Sequence, residues 1–177
     1  PQGDLTKMLG QRKPMELSNT LANVMKDVVD DTLHEDHPEI LQHHEGFDFV
    51  PANRNLSAVE VGLVNEFSRE TVLRRYLHDY DYVILDCCPS LGMLVINAMS
   101  ASDYVLIPVQ ADYLAAEDMK DLIKTVQKVK NSINPKLQIG GMFMTMANGT
   151  KFRQEVVNTV RESYRAHIPV LDAVIPS

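Results

Sequence analysis

The sequence predicts an α/β fold: a mostly parallel sheet with helices on both faces. Three observations predict it. The apolar runs at residues 82–85 and 104–109 are too short for helices and suit buried parallel strands. Stretches of helical periodicity stand between such runs. The two kinds of segment alternate from Phe47 onward, the order that parallel crossovers produce.

The elements follow in order. Residues 1–10 form a short polar-apolar segment ending in Gly10. Leu17, Leu21, Val24, Met25, Val28 and Val29 recur at helical spacing and predict one amphipathic helix, entered near Pro14. Residues 34–45, with Pro38 inside, read as an irregular or short helical connection. Residues 47–50 alternate apolar and acidic side chains before Pro51, as a short strand would. Ser57, with Glu60 three residues on, has the capping-box pattern and opens a helix to Leu77. After the strand at 82–85 come a helix over 90–101 and a second buried strand over 104–109, closed by Pro108. A helix over 114–133 is ended by Asn134 and Pro135. Residues 138–146 are strand-like, broken by Gly140 and Gly141; 151–165 are helical; 170–175 form a last strand. Ligands of such sheets bind beyond the carboxyl ends of strands, here residues 86–89, 108–110 and 145–148.

Composition bounds the function. Of 177 residues, 45% are hydrophobic and 23% charged, which is globular composition with enough aliphatic material for a core. The net charge of −7 means that the chain as a whole is not drawn to nucleic acid. Lys124, Lys128 and Lys130 fall on one predicted helix and read as a solvated face. The two cysteines, Cys87 and Cys88, are adjacent, so no spaced disulfide framework exists and a reducing cytosolic setting is expected. There is no signal peptide and no run long enough to span a membrane. His34, His37, His43 and His44 lie among Glu35, Asp36, Glu39 and Glu45. These are ligand types for Zn²⁺ or Ni²⁺, but no pair has a familiar spacing, and the segment reads as a solvated connection. Met142, Met144 and Met146 alternate as core-filling strand residues do.

The segment that carries chemistry is YDYVILDCCPSLG, residues 80–92. An apolar strand runs directly into Asp86. A carboxylate there is costly unless it meets a cation or hydrogen-bond donors. Holding Mg²⁺ beside nucleotide phosphates is one such arrangement. Pro89, Ser90 and Gly92 then turn into a helix whose N-terminus can face an anion. Cys87 and Cys88 have no visible base or cation beside them and read as inert strand-end residues.

Several stretches in order resemble the ParA/Soj family of partitioning ATPases: PQGDLTKMLG (residues 1–10), VPANRNLSAVE (50–60), YDYVILDCCPSLG (80–92), NAMSASDYVLIPVQADYLAAEDM (97–119), KVKNSINPKLQIGGMFMTM (128–146) and VIPS (174–177). The resemblance covers nearly the whole chain. It implies a P-loop NTPase-like domain over 1–177, incomplete at both ends and lacking its first strand and phosphate-binding loop. It also implies ATP and Mg²⁺ as cofactors, an ATP-dependent homodimer, nonspecific DNA and a centromere-binding protein as partners, no membrane, and a cytoplasmic location.

Residue by residue, the resemblance assigns Asp86 to Mg²⁺. Pro89 and Ser90 match the turn that senses the γ-phosphate, and Gln2 matches a glutamine near the phosphates. Pro108 and Gln110 match a loop on the nucleotide side of the sheet, with Gln110 facing a base or the partner subunit. Thr145 and Met146 match a strand end near the adenine. Cys88 departs from the proline that the family often has there. The larger departure is the family's Gly-rich loop with two lysines: Gly140–Gly141 and Gly149–Thr150 lack the Gly-Lys-Ser/Thr pattern. The absence of that loop, and of the family's catalytic-water aspartate, which the resemblance places before Pro1, lead to the expectation that no catalytic residue lies within this chain and that it does not hydrolyse ATP alone. Neighbours of the family's central first strand would also lose ladder partners. Two other readings are a MinD-like division-site ATPase and a noncatalytic interaction module of the same fold.

Overall fold

The computed structural model describes residues 3–33, 35–77, 80–110, 115–146, 158, 159, 162, 164 and 168–176. The chain divides into two units, Pro1–Ala101 and Ser102–Ser177.

The first unit is mostly helical. Helix α1 (Asp4–Met8) follows Gly3, whose φ of 75° places it in the left-handed region. A methyl at Gly3 would also lie 2.9 Å from the Ala52 carbonyl oxygen, so glycine serves both torsion and close approach. Thr6 Oγ1 donates to the Ala52 carbonyl (3.1 Å) and accepts the Ala52 N–H (2.9 Å), fastening α1 to that stretch of chain. The helix expected from Leu17 begins later. Pro14–Glu16 form a 3₁₀ turn, and α2 runs Leu21–Val29. Thr20 and Asn23 build its capping box: Asn23 Oδ1 accepts the Thr20 backbone N–H at 3.1 Å and the Thr20 hydroxyl at 2.8 Å. Ala22, Val24, Met25 and Val28 then form its buried face.

Residues 47–50 do not join a parallel sheet. Strands β1 (Leu41–Gln42) and β2 (Asp48–Phe49) pair antiparallel as a two-residue ribbon. The alternation read from the sequence is real, but the turn before it supplies a local partner. His43 stacks on Phe47 with centroids 4.6 Å apart and lies 4.1 Å from His44; His37 Nδ1 sits 3.1 Å from Glu39 Oε1. The histidines thus pack with rings and pair with a carboxylate. Among the described residues no group of three or more His, Cys, Asp or Glu could hold a metal ion, and His34 lies outside them.

The helix expected from Ser57 to Leu77 is broken. It becomes α3 (Leu56–Gly62), a 3₁₀ turn (Leu63–Asn65) and α4 (Val72–Tyr76). Ser57 is not the N-cap; Asn55 holds that position. Helix α3 stops at Gly62, and the stretch 66–71 beyond the 3₁₀ turn contains no Gly or Pro. Glu66 is extended, Ser68 takes φ 53°, and the Arg69 guanidinium caps the Val64 carbonyl. Asn97, fully buried on α5 (Met93–Ala101), ties this stretch to α5. Its Oδ1 accepts the Leu73 N–H at 3.1 Å, and its Nδ2 donates to Arg69 O (2.7 Å) and Met93 O (3.1 Å). Leu56, Leu63, Val72, Leu73, Tyr76 and Ala98 join the α2 residues in one core.

The second unit carries the parallel sheet, ordered β3 (Tyr104–Gln110), β4 (Gln138–Thr145), β5 (Val170–Ile175). Helix α6 (Ala115–Ser132) crosses over between β3 and β4. Met119, Leu122 and Ile123 of α6 pack with Ile107, Val109, Met142, Met144 and Ile168. Strand β3 is buried at Ile107 and Val109 but exposed at Tyr104 and Leu106, so it alternates where the sequence suggested burial throughout. Pro108 does not close it. The strand continues to Gln110, and proline is admitted because β3 is an edge of the described sheet. Gly140 and Gly141 do not break β4 but bulge it: the register shifts between Val105 and Leu106, and Gly141 takes φ 150°. Asn134 Nδ2 donates to Ser102 O at 2.7 Å just after α6 ends. Of the helix expected over 151–165, residues 158, 159, 162 and 164 are described, and all are helical. On α6, Lys124 pairs with Asp121 at 3.3 Å on an exposed face. Among the described residues no helix is long and apolar enough to cross a membrane.

Candidate functional site

In the first unit the candidate residues follow α4. Residues 82–85 are extended but form no ladder; Tyr82 is 91% and Ile84 93% exposed. This corrects the expectation of a buried strand. Apolar side chains make a parallel strand only when strands flank it, and no described residue pairs with this run. One end is anchored, since Tyr80 Oη donates to Asp48 Oδ2 at 2.8 Å, a contact that raises the Tyr80 pKa. At the other end, Leu85 is half-buried against the first core.

Asp86 follows at once. It is exposed, and no hydrogen bond or ion pair to it is found among the described residues. Cys87 Sγ lies 3.5 Å from the Leu85 carbonyl oxygen; desolvation by the chain around it, with the neighbouring Cys88 and Asp86, raises its pKa although the residue is exposed. Cys88 Sγ and Ser90 Oγ are 3.1 Å apart, so the Cys88 side chain occupies one hydrogen-bonding direction of the Ser90 hydroxyl. Pro89 and Ser90 are exposed, and α5 starts three residues beyond Ser90.

The N-terminus of α5 is not open in the way the sequence suggested. Glu60, read as the capping partner of Ser57, reaches across instead, and its Oε1 accepts the Leu94 N–H at 3.4 Å. Reading the sequence missed this role, because the contact joins residues 34 apart. The available signal was Gly92, which stands directly before an apolar helix and contributes no capping side chain.

In the second unit, Gln110 and Thr145 are register partners at the carboxyl ends of β3 and β4, with Pro108 opposite Phe143 two pairs earlier. Pro108 and Gln110 are therefore strand residues rather than loop residues. Met146, just beyond, takes φ 53° and is 52% exposed. Gln2 lies outside the described residues. A cavity of about 140 Å³ in the first unit is lined by Lys7, Pro14, Met15, Asn53 and Arg54, and none of the candidate residues lines it.

The chemistry of Asp86 fits Mg²⁺. That ion takes one or two carboxylates together with phosphate oxygens and waters, so a single exposed carboxylate without a competing cation is a suitable ligand.

Comparison with known proteins decides the family. A family profile described as an AAA domain matches residues 1–139. The sporulation initiation inhibitor protein Soj of Bacillus subtilis is 38% identical over 183 aligned residues, covering 99% of this chain and 69% of Soj. The chain belongs to the ParA/Soj family. The chromosome partitioning protein ParA of Myxococcus xanthus is 34% identical, covering 99% of this chain and 62% of that protein. Among solved structures, one titled cobyrinic acid a,c-diamide synthase from Mycobacterium smegmatis, with bound ADP and magnesium, superposes with a TM-score of 0.88. It is 31% identical and covers 99% of this chain and 71% of its own. A plasmid partition protein from Borrelia burgdorferi shares the fold at a TM-score of 0.71 and 20% identity, covering 97% of this chain and 70% of its own. The ParA/Soj relatives and these structures place the parallel sheet and its crossover helix in a P-loop NTPase-like α/β fold.

Proposed function

We propose that the full-length protein is an ATP-dependent DNA-partitioning ATPase of the ParA/Soj kind. The observation that carries this reading is the likeness to Soj and ParA across 99% of the chain. In this reading Asp86 is the carboxylate that holds Mg²⁺ beside the nucleotide phosphates. The bound ion neutralises phosphate charge, as it does in phosphoryl-transfer sites generally. Pro89 and Ser90 form the turn that registers the γ-phosphate, with the Ser90 hydroxyl presented to solvent. Gln2 is assigned to the phosphates on its match to the family's motif alone. Pro108, Gln110 and Thr145 stand at the nucleotide edge, where the Gln110 amide can both donate and accept hydrogen bonds to a base or a partner subunit.

Residues 1–177 contain no Gly-rich loop with paired lysines, so turnover is a property to be tested on the full-length protein. The full-length protein works in the cytoplasm as an ATP-dependent homodimer that binds DNA nonspecifically and meets a centromere-bound partner protein. The test is sedimentation of the full-length protein with Mg²⁺ and either ATP or ADP. The reading requires a dimer with ATP that also retains duplex DNA, and a monomer with ADP. A monomer in both nucleotides would refute it.

A further inference from the structure

Helix α5 begins with no capping side chain of its own. Leu91 and Gly92 precede it, neither has a side-chain acceptor, and its first turn carries no acidic residue. Helix N-termini need acceptors and favour negative charge. Both come from α3: Glu60 Oε1 accepts the Leu94 N–H. The same oxygen lies so close to Gly92 that a methyl there would collide with it, and that methyl would sit 3.2 Å from Glu60 Cδ and 3.6 Å from Oε2. Gly92 is not among the residues with positive φ, so a side chain here would meet no torsional barrier and would displace the Glu60 carboxylate. Asn97 makes a second tie, to Arg69 and Leu73.

We propose that Glu60 is a positioning residue for the turn at Pro89–Gly92. Its carboxylate fixes the start of α5 and, through Gly92, the place of Ser90 two residues earlier. Because Glu60 takes the Leu94 amide, that donor is not offered to the γ-phosphate, and the Ser90 hydroxyl in the turn it positions is the group that registers it. This last step rests on the ATPase reading above; the Glu60 contact does not.

The test is amide hydrogen exchange on the full-length protein, together with steady-state ATP hydrolysis. Glu60→Ala should raise exchange of residues 89–96 at least tenfold and leave residues 21–29 unchanged. Glu60→Gln, which keeps an acceptor oxygen, should restore most of the protection. Gly92→Ala, which displaces the carboxylate, should reproduce the Glu60→Ala result. In hydrolysis, Glu60→Ala should lower kcat about tenfold with KM for Mg-ATP within twofold, and Glu60→Gln should recover it. Unchanged exchange in Glu60→Ala, or raised exchange with normal kcat, overturns the proposal. A wild-type protein without ATP turnover would sink the ATPase reading, while the exchange result would still decide whether Glu60 positions the turn.

Discussion

The phenol of Tyr76 donates a 2.7 Å hydrogen bond to Glu39 Oε1, with His37 Nδ1 3.1 Å from the same oxygen. Glu39 is 5% and Tyr76 6% exposed. Burial disfavours the Glu39 carboxylate. The bonds from Tyr76, its own backbone and His37, with the charge of His37, outweigh that and hold its pKa below the ordinary carboxylate value. The Tyr76 phenol is pushed up by burial and by the neighbouring carboxylate. Tyr76→Phe leaves a buried carboxylate short of one donor and should cost about 1–3 kcal/mol. Urea unfolding of both proteins measures this; an unchanged midpoint would show that the bond contributes nothing.

The same pair sets a pH dependence. The folded pKa of Glu39 lies below the ordinary carboxylate value of 4.5. Its contribution is therefore complete above the unfolded pKa and lost as pH falls through the lower folded pKa. Wild type should exceed Glu39→Gln in stability at pH 6, and the gap should close as pH falls well below 4.5. Denaturant unfolding of both across that window checks it, and a gap independent of pH would contradict it.

Met144 and Met146 share an alternation but not a fate. Met144 is fully buried in the second core, whereas Met146 lies past the end of β4 and is half exposed. Met144→Ala should cost about 2–5 kcal/mol and Met146→Ala under about 1 kcal/mol. Thermal unfolding of the two variants distinguishes them, and equal losses would contradict the strand boundary.

This contrast also shows what the sequence could convey. Strands β3 and β4 and helix α6 were legible because their apolar faces meet in the second core, whereas β5 is held by its ladder to β4 and is mostly exposed. Residues 82–85 have the same apolar character, yet no described strand flanks them, and burial of a parallel strand depends on neighbours that its own residues do not encode. Ser57 and Glu60 carry a genuine local capping signal, but the Leu94 amide wins the carboxylate. The break at 66–71 was hidden because Ser68 adopts positive φ without the glycine that usually announces it. Asp86 was legible as the residue ending an apolar run. Its surroundings were not, because Cys88 on Ser90 and Glu60 on α5 are side-chain contacts without a periodic signature.

Mg²⁺-dependent ATP hydrolysis by the full-length protein, compared between wild type and Asp86→Asn, tests most directly whether Asp86 holds the metal. Wild type should show turnover that requires Mg²⁺, falling at least about a hundredfold in Asp86→Asn, the loss of roughly 2.7 kcal/mol of transition-state stabilisation. Wild-type-like hydrolysis by Asp86→Asn would contradict the assignment of Asp86 to the metal, and with it the reading of residues 80–92.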